Sequence, residues 1–408
     1  MLCLMENNQE SKIDWNYLLL LSSAYFATSI NMQGIQALMP FIQSDFELSR
    51  TQAGLYSTFF FISATIAAVF SGKIVDNYGA RKGMLIGVFS VGGMMFLHSF
   101  APVYSILLIL GLICGFGFSI VTPSVNKAII EGVHYSKRAI SMGIMQSGGG
   151  IGGFAGASLL PVFAENFGWR RAIGFSGITA VLVGFIIVIL LSDRGEKSEA
   201  KDISFLKKIK ELLADRHLFL LCLLGFGFGT AIGAIPAHFA LYLTLDLGFS
   251  ATLAGLSLGV LQIGGIFGRP FWGIISDKFF KGERNPALKL LVIMISLMLF
   301  FFGLFVWRFS GSRLLIILFS FLLGMSGMGW MGLYFTYIGE TSGSDDAGVA
   351  TGLALIFLRT GVIFSPPIFG FLADITDNYN VSWLALGVII VFISSIYFYQ
   401  VNKLEIAK

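Results

Sequence analysis

Ser49-Arg50-Thr51-Gln52-Ala53-Gly54-Leu55 returns later in the chain as Ser250-Ala251-Thr252-Leu253-Ala254-Gly255-Leu256, at an offset of 201 residues (250 − 49). The same offset carries Gly72 and Asp76 onto Gly273 and Asp277. One register therefore aligns both ends of an apolar segment, which is the mark of an internally repeated fold. A weaker echo lies inside the first copy, where Asp76-x-x-Gly79-x-Arg81 resembles Glu165-x-x-Gly168-Trp169-Arg170.

Around these landmarks the chain is built from apolar runs. Of its 408 residues 56% are hydrophobic and 12% charged, with a mean hydropathy of +0.82; soluble proteins carry about 25% charged residues. Twelve runs begin near Tyr17, Thr51, Gly83, Val103, Ala139, Ala172, Leu218, Ala251, Ala287, Leu314, Gly348 and Trp383. At about 18 to 25 residues and 1.5 Å per residue, each crosses roughly 30 Å of hydrocarbon as a helix. They are continuously apolar and lack the period-two alternation of barrel strands. The expected fold class is all-α integral membrane, with twelve transmembrane helices in two pseudo-symmetric six-helix halves.

The expected organisation is a tail at 1–16, a first half at 17–191, a linker at 192–216, a second half at 217–400 and a closing tail at 401–408. In the linker Ile203, Phe205, Leu206, Ile209, Leu212 and Leu213 are spaced for a short interfacial helix. With a cytoplasmic N-terminus, 20 Lys and Arg lie inside, 5 outside and 2 within helices, of 27 in all. That asymmetry obeys the positive-inside rule and places the chain in the cell's inner membrane with both termini cytoplasmic. It also explains the net charge of +4 and the basic stretch Lys207, Lys208, Lys210 and Arg216, leaving no case for nucleic-acid binding. The first run is long and follows the mixed charges of Glu6, Glu10, Lys12 and Asp14, so it reads as an anchor and not as a cleaved signal.

Cys3, Cys114 and Cys222 are too few for a disulfide framework. The four histidines at 98, 134, 217 and 238 are scattered. With no nucleophile-base set and no cluster of metal ligands, the sequence argues against an enzyme and predicts no cofactor and no metal. Paired six-helix halves with an internal three-helix echo instead describe a secondary transporter that exposes a midplane site to each side in turn.

The segment Gly72-Lys73-Ile74-Val75-Asp76-Asn77-Tyr78-Gly79-Ala80-Arg81-Lys82 resembles the loop signature of the major facilitator superfamily, G-x-x-x-D-x-x-G-x-R-K, at every defined position. The resemblance implies a gating role for Gly72, Asp76, Gly79, Arg81 and Lys82. Asp76 is placed to accept from a neighbouring helix N-terminus, and the glycines permit a tight loop. Gly273 and Asp277 form a second copy in which Phe280 replaces the glycine.

Tyr135-Ser136-Lys137-Arg138, Phe167-Gly168-Trp169-Arg170, Gly268-Arg269-Pro270 and Ser365-Pro366-Pro367-Ile368-Phe369-Gly370 are similar to the organic-anion branch that includes monocarboxylate and oxalate-formate carriers. The first run lacks the lysine of the lactate-type proton-coupled mechanism.

Two cations and no acid occupy the middle of the apolar runs: Arg269 within 251–273 and Arg359 within 348–371. A buried cation costs roughly 2.5–3.5 kcal/mol on insertion scales, so each needs a compensating group. An arginine fork grips a carboxylate through two parallel hydrogen bonds, which makes an anionic substrate the simplest candidate. The bland alternatives are a reach toward headgroups for Arg269, eight residues (277 − 269) from Asp277, and bonds to carbonyls or water for Arg359. By the repeat offset Arg269 corresponds to Ala68 (269 − 201), so the charge belongs to the second half.

Gln146 precedes Ser147-Gly148-Gly149-Gly150-Ile151-Gly152-Gly153, a glycine density that lets a neighbouring helix approach closely. Asn31 and Gln33, Thr122 and Asn126, Tyr242, Gln262, Trp330, Tyr334 and Tyr337 complete the set of polar and aromatic candidates, each with interhelical packing as its alternative. With no midplane carboxylate, His238 is the proton-coupling candidate, beside coupling through a protonated substrate or exchange without protons.

The sequence thus predicts a monomer in the lipid bilayer that moves a small organic anion, a mono- or dicarboxylate, by alternating access, with proton symport or anion exchange. Efflux of drugs, metabolites or metal chelates is the alternative for the same fold, and a membrane sensor is the alternative from another class.

Overall fold

The computed structural model describes residues 14–191, 212–309, 311–343 and 346–406. Most of the expected linker, including Ile203, Phe205, Leu206 and Ile209 of its interfacial helix and Lys207, Lys208 and Lys210, lies outside them, as do most of the N-terminal tail and the last two residues. Every regular element among the described residues is helical: α1 (Trp15–Ala37), α2 (Met39–Phe46), α3 (Arg50–Tyr78), α4 (Ala80–His98), α5 (Tyr104–Gly132), α6 (Arg138–Phe167), α7 (Trp169–Leu190), α8 (Arg216–Leu245), α9 (Ala251–Ile274), α10 (Arg284–Leu304), α11 (Arg313–Gly327), α12 (Met331–Ser342), α13 (Ala347–Thr376) and α14 (Asn380–Ile406), with short 3-10 or π turns between some of them.

Eleven candidate spans are long and apolar enough to cross a membrane, α11 and α12 together forming one. The expected twelfth span falls on α1, whose 23 residues make about 34 Å of helix, long enough to cross, although Ser22, Ser23, Asn31, Gln33 and Gln36 dilute its apolar character and keep it out of that set. All twelve expected starting points fall within three residues of an observed helix start. Large apolar side chains point outward along these helices, among them Val69, Ile189 and Leu314, as a hydrocarbon solvent permits.

The chain divides into two compact units. The first takes Met1–Leu38 and Phe59–Lys201, the second Met39–Thr58 and Asp202–Lys408. In the first unit, α1 and α6 meet along a seam of glycines. A Cβ on Gly148, Gly152 or Gly156 would fall within 3.0 Å of the carbonyl oxygens of Ser22, Phe26 and Ile30, a row advancing by four residues on each helix. The helices are therefore in backbone contact, as the glycine density of the sixth helix implied. The Tyr17 hydroxyl donates to Ala128 O at 2.8 Å and ties α1 to α5.

The internal echo is real in backbone terms. Gly79 and Gly168 each make a one-residue joint between helices, with φ of 83° and 84°, a region where a Cβ is strained. The second copy of the loop turns differently: α9 continues through a π turn at Ile275–Phe279, and the positive-φ residues are Lys281 and Gly282.

In the second unit, Ser250 caps α9 by accepting from Leu253 N. Ser49 and Gln52 form a reciprocal capping box at the start of α3, with Ser49 N donating to Gln52 Oε1 and Gln52 N to Ser49 Oγ. The repeated heptad is thus the start of a membrane helix written twice.

Candidate functional site

Arg359 is placed by the packing of α8 on α13. A Cβ on Gly229 would collide with Leu358 O and one on Gly233 with Val362 O, while Gly361 stands against Phe226 O in the reverse sense. This bare seam fixes the height and rotation of α13, and the residue after Leu358 is Arg359, half-buried. It lies twelve residues (359 − 347) into the helix, about 18 Å of rise, which is close to mid-depth.

Arg269 sits on α9 where that helix packs against a broken one. Gly264 abuts Phe321 O, Gly268 abuts Met325 O, and Gly324 abuts Leu261 O. The helix facing them stops at Gly327 and restarts at Met331, and Gly332, in the first turn of α12, lies beside the Arg269 carbonyl. Interrupted membrane helices expose peptide dipoles at depth, and the start of a half-helix favours negative charge. Trp272 Nε1 donates to Met325 O at 2.9 Å and so holds one carbonyl in the last turn before the break. Two turns before Arg269, the Gln262 amide nitrogen is buried without an acceptor. Arg359 and Arg269 are each half-buried on helices of the second unit, and a guanidinium is a donor group suited to an anion.

Other expected residues are committed elsewhere. Tyr334, fully buried, donates to Leu221 O at 3.0 Å, and Trp330 donates to Gly327 O at 3.0 Å while its ring stacks on Phe228 at 4.8 Å. Tyr242 donates to Phe302 O at 2.9 Å, and Tyr337 meets His217 Nε2 at 3.3 Å. These contacts tie helices together. Within the first unit, Asn31 is buried, donates to Ala27 O and Ser176 O, and accepts from Ser176 Oγ. Thr122 and Gln146 are exposed, Asn126 is half-buried, and Gln33 Oε1 is buried without a donor.

His238 is wholly buried between two partners. Its Nε2 donates to Pro366 O at 2.8 Å, and Nδ1 lies 3.1 Å from the Tyr379 hydroxyl. A Cβ on Gly54 would come within 2.8 Å of Nε2 and 2.6 Å of Pro366 O. The glycine of the repeated heptad thus leaves room for this pair.

The aspartate of the loop motif has a partner the sequence did not single out. Asp76 pairs with Lys127 of α5 at 3.0 Å, and Lys127 also reaches Glu131 at 3.9 Å. Asp76 was expected to meet a helix terminus; a lysine takes that place because α5 carries it one turn before its acidic partner. Arg81 donates to Val188 O, Gly72 and Gly273 have open space where a Cβ would lie, and Lys82 is exposed. In the second copy Asp277 pairs with Arg284, which also binds Glu340 of α12.

Sequence reasoning also missed a charged cluster at the opposite end of α13. Arg50 lies within 3.8 Å of Asp246 and 3.3 Å of Asp377, over the Tyr379 ring, while Asp374 accepts from Arg50 N, Thr51 N and the Thr51 hydroxyl. Burial raises the Asp246 carboxyl above its ordinary value, against the lowering effect of the Tyr379 amide and Arg50. The available signal was Arg50 itself, a charge inside the heptad where the second copy has Ala251.

The family described as Major Facilitator Superfamily matches residues 21–366. A hexuronate transporter of Bacillus subtilis (strain 168) is 24% identical over 87% of this chain and 87% of its own length. The sialic acid transporter NanX of Escherichia coli (strain K12) is 26% identical over 85% of this chain and 82% of its own. The crystal structure of a bacterial homolog to the human lysosomal transporter Spinster, in an inward-facing and unoccupied conformation, superposes with a TM-score of 0.79 at 16% identity, covering 94% of this chain and 96% of that one.

Proposed function

Because the chain belongs to the Major Facilitator Superfamily and is therefore a membrane transporter and not an enzyme, we propose that its cargo is a small organic anion, a mono- or dicarboxylate, carried by alternating access. The observation that carries this reading is the placement of Arg359 at mid-depth on a helix whose height is set by backbone contact. A guanidinium held there offers a planar pair of donors to a carboxylate in a setting where water competes weakly. Arg269, beside the restart of α12, is the second cation, and Gln262 adds an amide donor. The cargoes named for the two bacterial relatives, a hexuronate and sialic acid, are both carboxylates, which supports the anion class and favours a monocarboxylate bearing hydroxyls. In this proposal the energy source is proton symport or anion exchange.

The test is counterflow in proteoliposomes with a panel of sugar acids, simple mono- and dicarboxylates, neutral sugars and lipophilic cations, with wild type and Arg359→Gln side by side. Exchange of carboxylates that is lost in a folded Arg359→Gln variant is the expected result. Exchange restricted to cations or neutral solutes, or undiminished by the substitution, overturns the anion assignment.

A further inference from the structure

Between α10 and α14, in the second unit, runs a groove of about 280 Å³. Its shape follows from residue size. Ser296, Ser394 and Ser395 make a low floor, while Leu297, Phe300 and Phe398 stand as walls. Gly303 meets Leu384 and Gly387 meets Phe300, so the numbering rises on one helix as it falls on the other. Lys289 and Phe398 accordingly mark one end of the groove, and Phe300 and Val391 the other. From Lys289 to Phe300 the rise is about 16 Å, close to the hydrocarbon depth of one leaflet.

The two ends differ in chemistry. Lys289 is exposed only five residues into a membrane-crossing helix, and among the described residues no carboxylate pairs with it. Near the same end, Lys403 lies over the exposed ring of Tyr399 at 4.8 Å, an aromatic and basic setting typical of the membrane interface. Beyond Lys289 the groove lining is apolar apart from the serines, and the Ser296 hydroxyl is buried without a partner. A narrow apolar channel one leaflet deep, opening beside a cation, is complementary to a single acyl chain attached to a negative headgroup.

We propose that this groove is a binding site for one anionic phospholipid, its chain lying along α10 and α14 and its phosphate meeting Lys289. Bulk lipid covers any outward helix face; what distinguishes this site is retention selected by headgroup charge. The assignment is independent of the transported cargo.

The test uses the full chain purified in detergent, with dioleoyl phosphatidylglycerol or dioleoyl phosphatidylcholine added, and bound lipids counted by native mass spectrometry. One retained phosphatidylglycerol is expected, preferred by about fivefold, the factor a single lysine near an anionic headgroup supplies. Lys289→Gln should remove the preference, and Ser296→Leu combined with Ser395→Leu should lower retention of both lipids by filling the floor. Equal retention of the two lipids by wild type, or an unchanged preference in Lys289→Gln, overturns the proposal. So does a lipid-free dimer in which introduced cysteines at Leu297 and Val391 cross-link two copies.

Discussion

The carboxylate of Asp374 caps a helix to which it does not belong: it accepts from Thr51 N at 2.9 Å and the Thr51 hydroxyl at 2.6 Å, and its other oxygen accepts from Arg50 N at 2.8 Å. With Gln52 N bonded to Ser49 Oγ and Ala53 N to Ser49 O, the first four amides of α3 are accounted for. A helix start otherwise leaves such donors orphaned. Removing the cap with Asp374→Ala should destabilise the protein by about 1.5–3 kcal/mol, the range for hydrogen bonds to charged groups. Thr51→Ala should cost less, because the backbone bonds survive. Thermal unfolding in detergent measures both; equal losses would place the energy in the hydroxyl and not in the cap.

Gly229 sets the position of Arg359. Gly229→Val puts branched carbon into Leu358 O and should displace α13, abolishing anion binding and costing about 1–3 kcal/mol as overpacking does. Gly227→Ala is the control, since its Cβ meets Ile393 at an ordinary 3.5 Å. Binding measured by calorimetry should survive the control; if Gly229→Val binds normally, the seam does not position the arginine.

Asp76 and Lys127 should behave as a coupled pair. Each partner is partly exposed, 13% for the lysine and 37% for the aspartate side chain, so the interaction is worth no more than about 1 kcal/mol. Asp76→Asn and Lys127→Met, measured singly and together in a double-mutant cycle of unfolding temperature, should show a smaller combined loss than the sum. Strict additivity would mean that the contact contributes nothing.

Asp246 predicts a pH dependence whose sign follows from burial. A carboxyl whose folded-state value lies above its ordinary 3.8 holds its proton more tightly when folded. Its contribution to stability is therefore greatest below 3.8 and is lost as pH rises through the folded-state value. Asp246→Asn should gain on wild type as pH is raised from about 4 to 7, and unfolding temperatures recorded across that interval should diverge. Parallel curves would show that Arg50 and the Tyr379 amide fully offset the burial.

The membrane helices were legible because apolar length is a local property: a run such as 251–273 declares itself without reference to any neighbour. The glycine-rich stretch 148–153 likewise announced close approach, and the seam against α1 realises it. What could not be read was which helix supplies each partner. Asp76 finds Lys127, Thr51 finds Asp374 and Tyr334 finds Leu221 across 51, 323 and 113 residues, distances over which no spacing rule operates. Tyr334 and Asn31 illustrate the ambiguity of polar groups in helices, since the same residue types serve as interhelical ties and as ligands.

The cap on α3 also has a tempo. Its first amide waits for an acceptor 324 residues further along the chain, and at ribosomal speeds of about 5–20 residues per second that interval lasts roughly 16 to 65 seconds. Throughout it the start of α3 has Ser49 as its cap but lacks the carboxylate that completes it. A polypeptide arrested before Asp374 would keep those donors open, so the last tenth of the chain acts as the checkpoint that declares an early helix finished.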